Sequence, residues 1–258
     1  MNKQQNMTTL LIVSGTGERG TLGNAYIEAY KHKPDVTCVN FSRTSYRIES
    51  SENRVSDLLN EQQTKECIDN LSITGIEQII FIHCVGKFKF EKEDSPTIDS
   101  EVYTSNCRTF DNIARPLLQK IYGTDINVML CGFGSISDKY NVPYWKSYSH
   151  AKKELKKKIK EYSTMPQVSG LSVNVSSVNT PKENTLRPYA DKRYWLDSKD
   201  IVDNTDRYVW QAAEKYCEID IYIPDPYFQE TFFTDYRIVF NRWSQEMGLQ
   251  RREIKIER

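Results

Sequence analysis

Apolar runs of strand length alternate with segments of helical period along nearly the whole chain, and this alternation restricts the fold more than any other feature. The runs are "TTLLIVSG", "DVTCVNFS", "EQIIFIHCVG", "INVMLCGFG", "SGLSVNVSSVN" and "EIDIYIP". Between them lie "LGNAYIEAYK", "NEQQTKECIDNL" with an asparagine at its N-cap, "SEVYTSNCRTFDNIARPLLQKIY", "WKSYSHAKKELKKKIKEY" and "SKDIVDNTDRYVWQAAEKY". Most of these strands are apolar along their length rather than at every second residue, so both faces must be covered. Strands buried on both faces and separated by helices give a parallel sheet with helices on either side, an α/β fold. At 258 residues the chain is long enough for one large domain with a well-buried core. We read residues 1–258 as that single domain, with 1–7 a flexible tail and "QRREIKIER" a loose charged end.

Charge and cysteine usage exclude several classes. Lys+Arg and Asp+Glu are 35 each, so no net field draws the chain to nucleic acid or to an anionic membrane. No apolar run approaches the roughly 18–20 residues that span a bilayer. The lysine run "KKELKKKIK" is interrupted by glutamate and reads as a solvated helix face. The six cysteines contain no CxxC pair, and the three histidines are far apart, so neither a disulfide framework nor a metal site is expected. A reducing cytoplasm fits this usage.

"SGTGERGTLG" places Gly15, Gly17 and Gly20 as a GxGxxG directly after the first strand and at the mouth of the first helix. Glycines there allow a tight turn and a close approach of backbone to pyrophosphate, while the helix N-terminus offers free N–H groups. The motif predicts dinucleotide binding. A carboxylate at the end of the second strand would select NAD by holding the ribose 2′-hydroxyl. That strand ends "NFSRTS", with Ser42, Arg43 and Thr44 and no carboxylate, and Arg19 of the glycine loop can reach the same place. Guanidinium groups bind phosphate through paired charge-assisted hydrogen bonds, which predicts NADP(H). Further along, "YSHAK" sets Tyr148 four residues before Lys152, on one face of a helix. An adjacent ammonium would lower the phenol pKa and make a proton-transfer pair. One such pair is about what chance supplies in a lysine-rich chain, so it gains meaning only from its company.

The order glycine loop, Asn106, Ser135, Tyr148, Lys152 resembles the short-chain dehydrogenase/reductase family over roughly residues 8 to 225. The resemblance implies a Rossmann-type, doubly wound parallel sheet of about seven strands with helices on both faces. It implies catalytic roles for Asn106, Ser135 (or Ser137), Tyr148 and Lys152. In "RVSDLL", Asp57 would touch the adenine; in "HCVG", Gly86 matches the end of the family's NNAG while its asparagines are lost; in "SVNVSSVNT", Thr180 would contact the phosphates. Ser135 would hold a substrate carbonyl oxygen and Tyr148 would give it a proton. Lys152 would hold the nicotinamide ribose, and Asn106 a water leading to Lys152. The long helices 99–122 and 144–162 resemble those that pair subunits in the family, which implies a homodimer or homotetramer.

The expected activity is NADP(H)-dependent reduction of a ketone or aldehyde to an alcohol. Residues 181–197 stand where the family places a substrate lid, and their cations, with Lys87 and Lys89, suggest an anionic sugar or biosynthetic intermediate. The alternative is a non-catalytic NADP-binding regulator or assembly subunit of the same fold. The aromatic ending 224–247 suits either a cover over the active site or a subunit contact.

Overall fold

The strands predicted from apolar runs form one parallel sheet. The computed structural model describes residues 8–17, 19–44, 48–91, 97–139, 144–211, 214–224 and 235–249. Its strands are β1 (Thr9–Ser14), β2 (Val36–Ser42), β3 (Glu52–Val55), β4 (Gln78–His83), β5 (Asn127–Ser135), β6 (Val168–Val175) and β7 (Tyr216–Ile221). They lie in the order β3-β2-β1-β4-β5-β6-β7, with every pairing parallel. This is a doubly wound Rossmann-type sheet. The chain winds outward from β1 in one direction and then from β4 in the other, so a crevice opens beyond the carboxyl ends of β1 and β4.

Two cores explain why the strands are apolar on both faces. On one side Ile12, Phe81 and Leu130 pack under α2 (Glu61–Asp69), α4 (Thr109–Lys120) and α5 (Lys146–Tyr162). On the other Leu11, Ile80 and Val173 pack under α1 (Leu22–Tyr30) and α7 (Ser198–Trp210). Ile80 and Phe81 are adjacent, point to opposite faces and are both fully buried. Each such side chain contributes about 1.5–3 kcal/mol by leaving water. The tyrosines of α1 bind α7 through their hydroxyls, Tyr26 to Thr205 at 2.5 Å and Tyr30 to Asp206 at 2.7 Å.

Three elements differ from the sequence reading. The edge strand β3 reads "ENRV"; it pairs on one side only and is half exposed, so it has no apolar run. The helix expected to 216 stops at Trp210, and β7 begins at Tyr216, in register with Gly170 of β6. The helix expected over 100–122 is α3 (Ser100–Tyr103), a π-helical turn at Thr104–Arg108, and α4. At the end of the π turn the Thr109 N–H bonds back to the Thr104 carbonyl, and the Thr109 hydroxyl donates to the Ser105 carbonyl at 2.8 Å. The wider turn is therefore satisfied locally, and it turns Asn106 inward, fully buried.

A further α-helical stretch, α6 (Pro181–Leu186), follows β6, and a last helix, α8 (Tyr236–Glu246), returns over the carboxyl ends of the central strands. None of the described helices is long and apolar enough to cross a membrane. No group of metal-ligating side chains occurs among the described residues.

Candidate active site

The glycine turn lies in the crevice between β1 and β4. Gly15 has φ +84°, and a Cβ there would stand 2.8 Å from the Cys84 carbonyl carbon and oxygen. Gly23 is equally constrained, since its Cβ would meet the Gly15 carbonyl oxygen at 2.8 Å where α1 leaves the sheet. Gly17 is different: a Cβ there would meet nothing closer than Thr44 Oγ1 at 3.8 Å. Packing within the protein requires Gly15 and Gly23 but not Gly17, which leaves open space over the turn for a ligand. Gly20, at φ +77°, completes the turn before the Thr21 N-cap of α1. Gly15→Ala is expected to destabilise the fold by more than about 1 kcal/mol, because both the left-handed backbone and the Cys84 carbonyl oppose a side chain. Chemical denaturation checks this, and Gly17→Ala serves as the near-neutral control.

The end of β2 is tied to this turn. Thr44 Oγ1 donates to the Gly17 carbonyl at 3.2 Å, and Asn40 Nδ2 donates to Thr16 Oγ1 at 3.1 Å. Ser42 is buried and donates to the Thr44 carbonyl at 2.6 Å, so it shapes the loop. Arg19 and Arg43 are both exposed. Asp57 is exposed at the crevice side of β3, where its carboxylate accepts the Leu59 N–H. Thr180 caps α6 by accepting the Glu183 N–H.

Tyr148, Ser135 and Ser137 line one cavity of about 220 Å³. Ser135 ends β5, and Tyr148 lies in the first turn of α5. The Ser137 N–H donates to Ser135 Oγ at 3.2 Å, and the two hydroxyls are 2.7 Å apart. Of the two serines, Ser135 is the one whose hydroxyl is near enough to the phenol to favour its ionised form. Lys152 lies one turn on and is buried. Its ammonium donates to the Phe133 carbonyl at 2.9 Å and stands 5.4 Å from the centre of the Tyr148 ring. Gly86 brings the next members together: a Cβ there would be 2.7 Å from Asn106 Oδ1 and 3.2 Å from Lys152 Nζ. Asn106 Nδ2 donates to the Lys87 and Val102 carbonyls, while its buried Oδ1 has no partner. An orphan acceptor beside a buried ammonium is a place for a polar guest.

The electrostatics correct one expectation. Tyr148 is pushed well above the ordinary phenol range, chiefly by burial and then by the Glu183 and Asp138 carboxylates; only the nearby Ser135 hydroxyl opposes this. Lys152 does not pull it down, because its ammonium is engaged elsewhere and is itself lowered to about 8, chiefly by burial. Tyr148 is thus held firmly as a protonated donor.

His83 replaces the first asparagine of the family pattern, and the sequence reading assigned it no role. Its Nδ1 is 2.9 Å from Ser14 Oγ and its Nε2 is 3.3 Å from Thr109 Oγ1. The Thr109 hydroxyl already donates to Ser105, so it accepts from Nε2–H, and Nδ1 accepts from Ser14. The imidazole stays neutral, lowered to about 3 chiefly by burial. It fastens β1 to the helix that carries Asn106.

Of the two roles open to the aromatic ending, a cover over the site or a subunit contact, the described part takes the first. Trp243 of α8 packs on Trp145 at 4.6 Å and on Phe88 at 5.0 Å, and Phe88 meets the Tyr148 ring edge-on at 5.2 Å. The described part of the aromatic ending therefore covers the site; residues 225–234 of that ending lie outside the described residues. Arg187 is turned inward between the Trp195 and Trp243 rings, at 4.9 Å and 4.3 Å. It donates to Glu246 (2.8 Å), Glu183 (2.8 Å) and Ser177 (2.9 Å). Lys87 and Lys89 pair with Glu101 and Asp99. The cations expected to bind an anion are therefore mostly committed to carboxylates. The clustering of aromatic residues in 224–247 was the only sequence signal of a roof.

No protein-family model matches the sequence, and no curated protein matches it. Solved structures match by shape. A 4-hydroxyisoleucine dehydrogenase complexed with NADH aligns at TM-score 0.68 and 14% identity, over 83% of this chain and 96% of that one. The aldohexose dehydrogenase of Thermoplasma acidophilum aligns at TM-score 0.67 and 13% identity, over 83% and 93%. A short-chain dehydrogenase from Burkholderia cenocepacia in complex with NADP aligns at TM-score 0.66 and 15% identity, over 83% and 88%.

Proposed function

We propose, from the short-chain dehydrogenase/reductase fold that this chain has, that it is a member of that family and an NADP(H)-dependent oxidoreductase reducing a ketone or aldehyde to an alcohol. The observation that carries the reading is the meeting of the Tyr148 and Ser135 side chains in one cavity at the carboxyl ends of the strands, with the Lys152 ammonium 5.4 Å from the centre of the Tyr148 ring. The residues present fit a dinucleotide: the open space over Gly17, the Thr21-capped helix and the orphan Asn106 oxygen each leave a place that the protein itself does not fill. Gly15, Gly17 and Gly20 would cradle the pyrophosphate and Thr180 would contact the phosphates, while Asp57 would touch the adenine and Gly86 would line the cofactor site. Ser42, Arg43 and Thr44, with Arg19, would take the 2′-phosphate. When bound, NADPH supplies the hydride to the carbonyl carbon.

The chain's own groups handle position and proton. Ser135, its oxygen already holding the Ser137 N–H, directs its hydroxyl to the carbonyl oxygen. Tyr148 gives its proton to that oxygen as charge develops; a phenol with a raised pKa suits this direction, since an alkoxide is a far stronger base than any phenolate. Lys152 would hold the ribose hydroxyls and, with a water on Asn106 Oδ1, return a proton to Tyr148. A small-molecule substrate, a homo-oligomer paired through the π-kinked helix and α5, a cytoplasmic location, a single domain and a lid at 181–197 belong to the same reading.

The test is NADPH oxidation against a panel of ketones and aldehydes; tight NADPH binding without turnover on any of them would favour the regulator instead. Cofactor choice is checked separately. Arg43→Ala is expected to lower the NADPH-to-NADH affinity ratio by roughly 10- to 100-fold, the worth of one charge-assisted hydrogen-bonded contact. An unchanged ratio by titration would remove the NADP assignment.

A further inference from the structure

The cavity that holds the Tyr148 and Ser135 hydroxyls is walled by aromatic rings and balanced in charge. Phe88, Trp145 and Trp243 form one continuous surface beginning at the edge of the Tyr148 ring. Trp195 faces it across the Arg187 guanidinium. Rings of this kind offer flat, polarisable faces to a flat guest. Among the described residues, the charged side chains lining the cavity are Glu183, Arg187 and Arg242. Arg187 is bound to Glu183 and Glu246, and Arg242 donates to Glu246 at 2.7 Å. Among the described residues, Arg187 therefore lies between two carboxylates, and Glu246 is shared with Arg242. A substrate carboxylate or phosphate that engaged Arg187 would draw it from these buried partners and leave a carboxylate uncompensated. A cationic group would compete with Arg187 for Glu183 in the same way. The cavity, about 220 Å³, is at the small end for ligand pockets and favours a small substrate.

We propose that the substrate is a small, uncharged aldehyde or ketone bearing a flat ring, which lies against Trp145 and Trp243 with its carbonyl oxygen at the Tyr148 and Ser135 hydroxyls. This rests on the reductase reading above for its chemistry but on the walls of the cavity for its shape and charge. The reaction balances as carbonyl plus NADPH plus one proton giving alcohol plus NADP⁺: the dihydronicotinamide C–H bond and the C=O π bond would break as a C–H bond forms at the carbonyl carbon, and the oxygen takes the Tyr148 proton, which solvent replaces.

The wild-type chain is sufficient for the main test. NADPH oxidation is measured with benzaldehyde, 4-carboxybenzaldehyde, butanal and dihydroxyacetone phosphate, and binding of benzyl alcohol and 4-(hydroxymethyl)benzoate is followed by tryptophan fluorescence with NADP⁺ present. Benzaldehyde is expected to exceed each of the other three in kcat/KM by at least about tenfold, and benzyl alcohol to bind more tightly than its carboxylated analogue. Trp243→Ala is expected to reduce benzaldehyde kcat/KM at least about tenfold and butanal kcat/KM by a clearly smaller factor; Trp243→Leu, which keeps the roof apolar, guards against loss of folding. Preferred binding of benzyl alcohol without any NADPH oxidation would uphold the shape inference and sink the reductase. Equal or better use of the carboxylated, phosphorylated or straight-chain carbonyl would overturn the inference and leave the reductase standing. Absence of both binding and turnover would overturn the two together.

Discussion

Tyr148→Phe is expected to lower kcat for carbonyl reduction by about 10²–10⁴-fold, the usual worth of a positioned general acid, while NADPH binds almost as before. The argument is geometric. Only the hydroxyl is removed; the ring keeps its edge-on contact with Phe88 and its place above Lys152. Ser135 remains to hold the carbonyl oxygen, but Lys152, bonded to the Phe133 carbonyl, is directed away from the substrate and cannot replace the lost donor. Stopped-flow NADPH oxidation with unchanged fluorescence titration of the cofactor checks the split. A variant that turns over within a few-fold of wild type would mean that Tyr148 is not the proton donor, whatever the fold.

Arg187→Met is expected to cost roughly 3–5 kcal/mol of stability, a fall in Tm of roughly 6–20 °C for a chain of this size. Arg187 is 3% exposed and joins three parts of the chain: Glu183 of α6, Ser177 after β6 and Glu246 of α8. Methionine can occupy the space between the indoles but leaves Glu183 and Glu246 facing each other with one cation fewer. Adding Glu246→Gln should recover part of the loss, because one abandoned charge is then removed. Arg187→Lys should rescue poorly, since an ammonium neither stacks flat between two indoles nor reaches three acceptors in a fixed fork. Calorimetry and denaturant midpoints measure all three.

The chain's own residues made much of this legible. The central strands announce themselves because both their faces are buried, so nearly every residue is apolar; β3, polar and at an edge, has no such signature. Tyr148 and Lys152 could be paired because one helix fixes the distance between positions four apart. The lysine run shows the limit of that logic. Read as a solvated face, it is divided by the helix into buried Lys152, exposed Lys153 and Lys157, Lys156 bridging Asp138 and Glu218, and Lys158 on Asp111. Composition cannot distinguish these, since the distinction is made by which neighbours each position meets.

Periodicity and a handful of spaced motifs thus determined the sheet, the glycine crevice and the identity of the polar groups beside it. These are local properties: two residues per strand repeat, 3.6 per helical turn, and glycine where no Cβ fits. Only the tertiary structure decided that α8 closes over the cavity, that Arg187 is spent on Glu183 and Glu246, that His83 fastens β1 to the helix that carries Asn106, and that burial, not Lys152, governs the Tyr148 proton. Each of those depends on contacts between residues distant in sequence and on the dielectric they create, and neither quantity is written in the order of the residues.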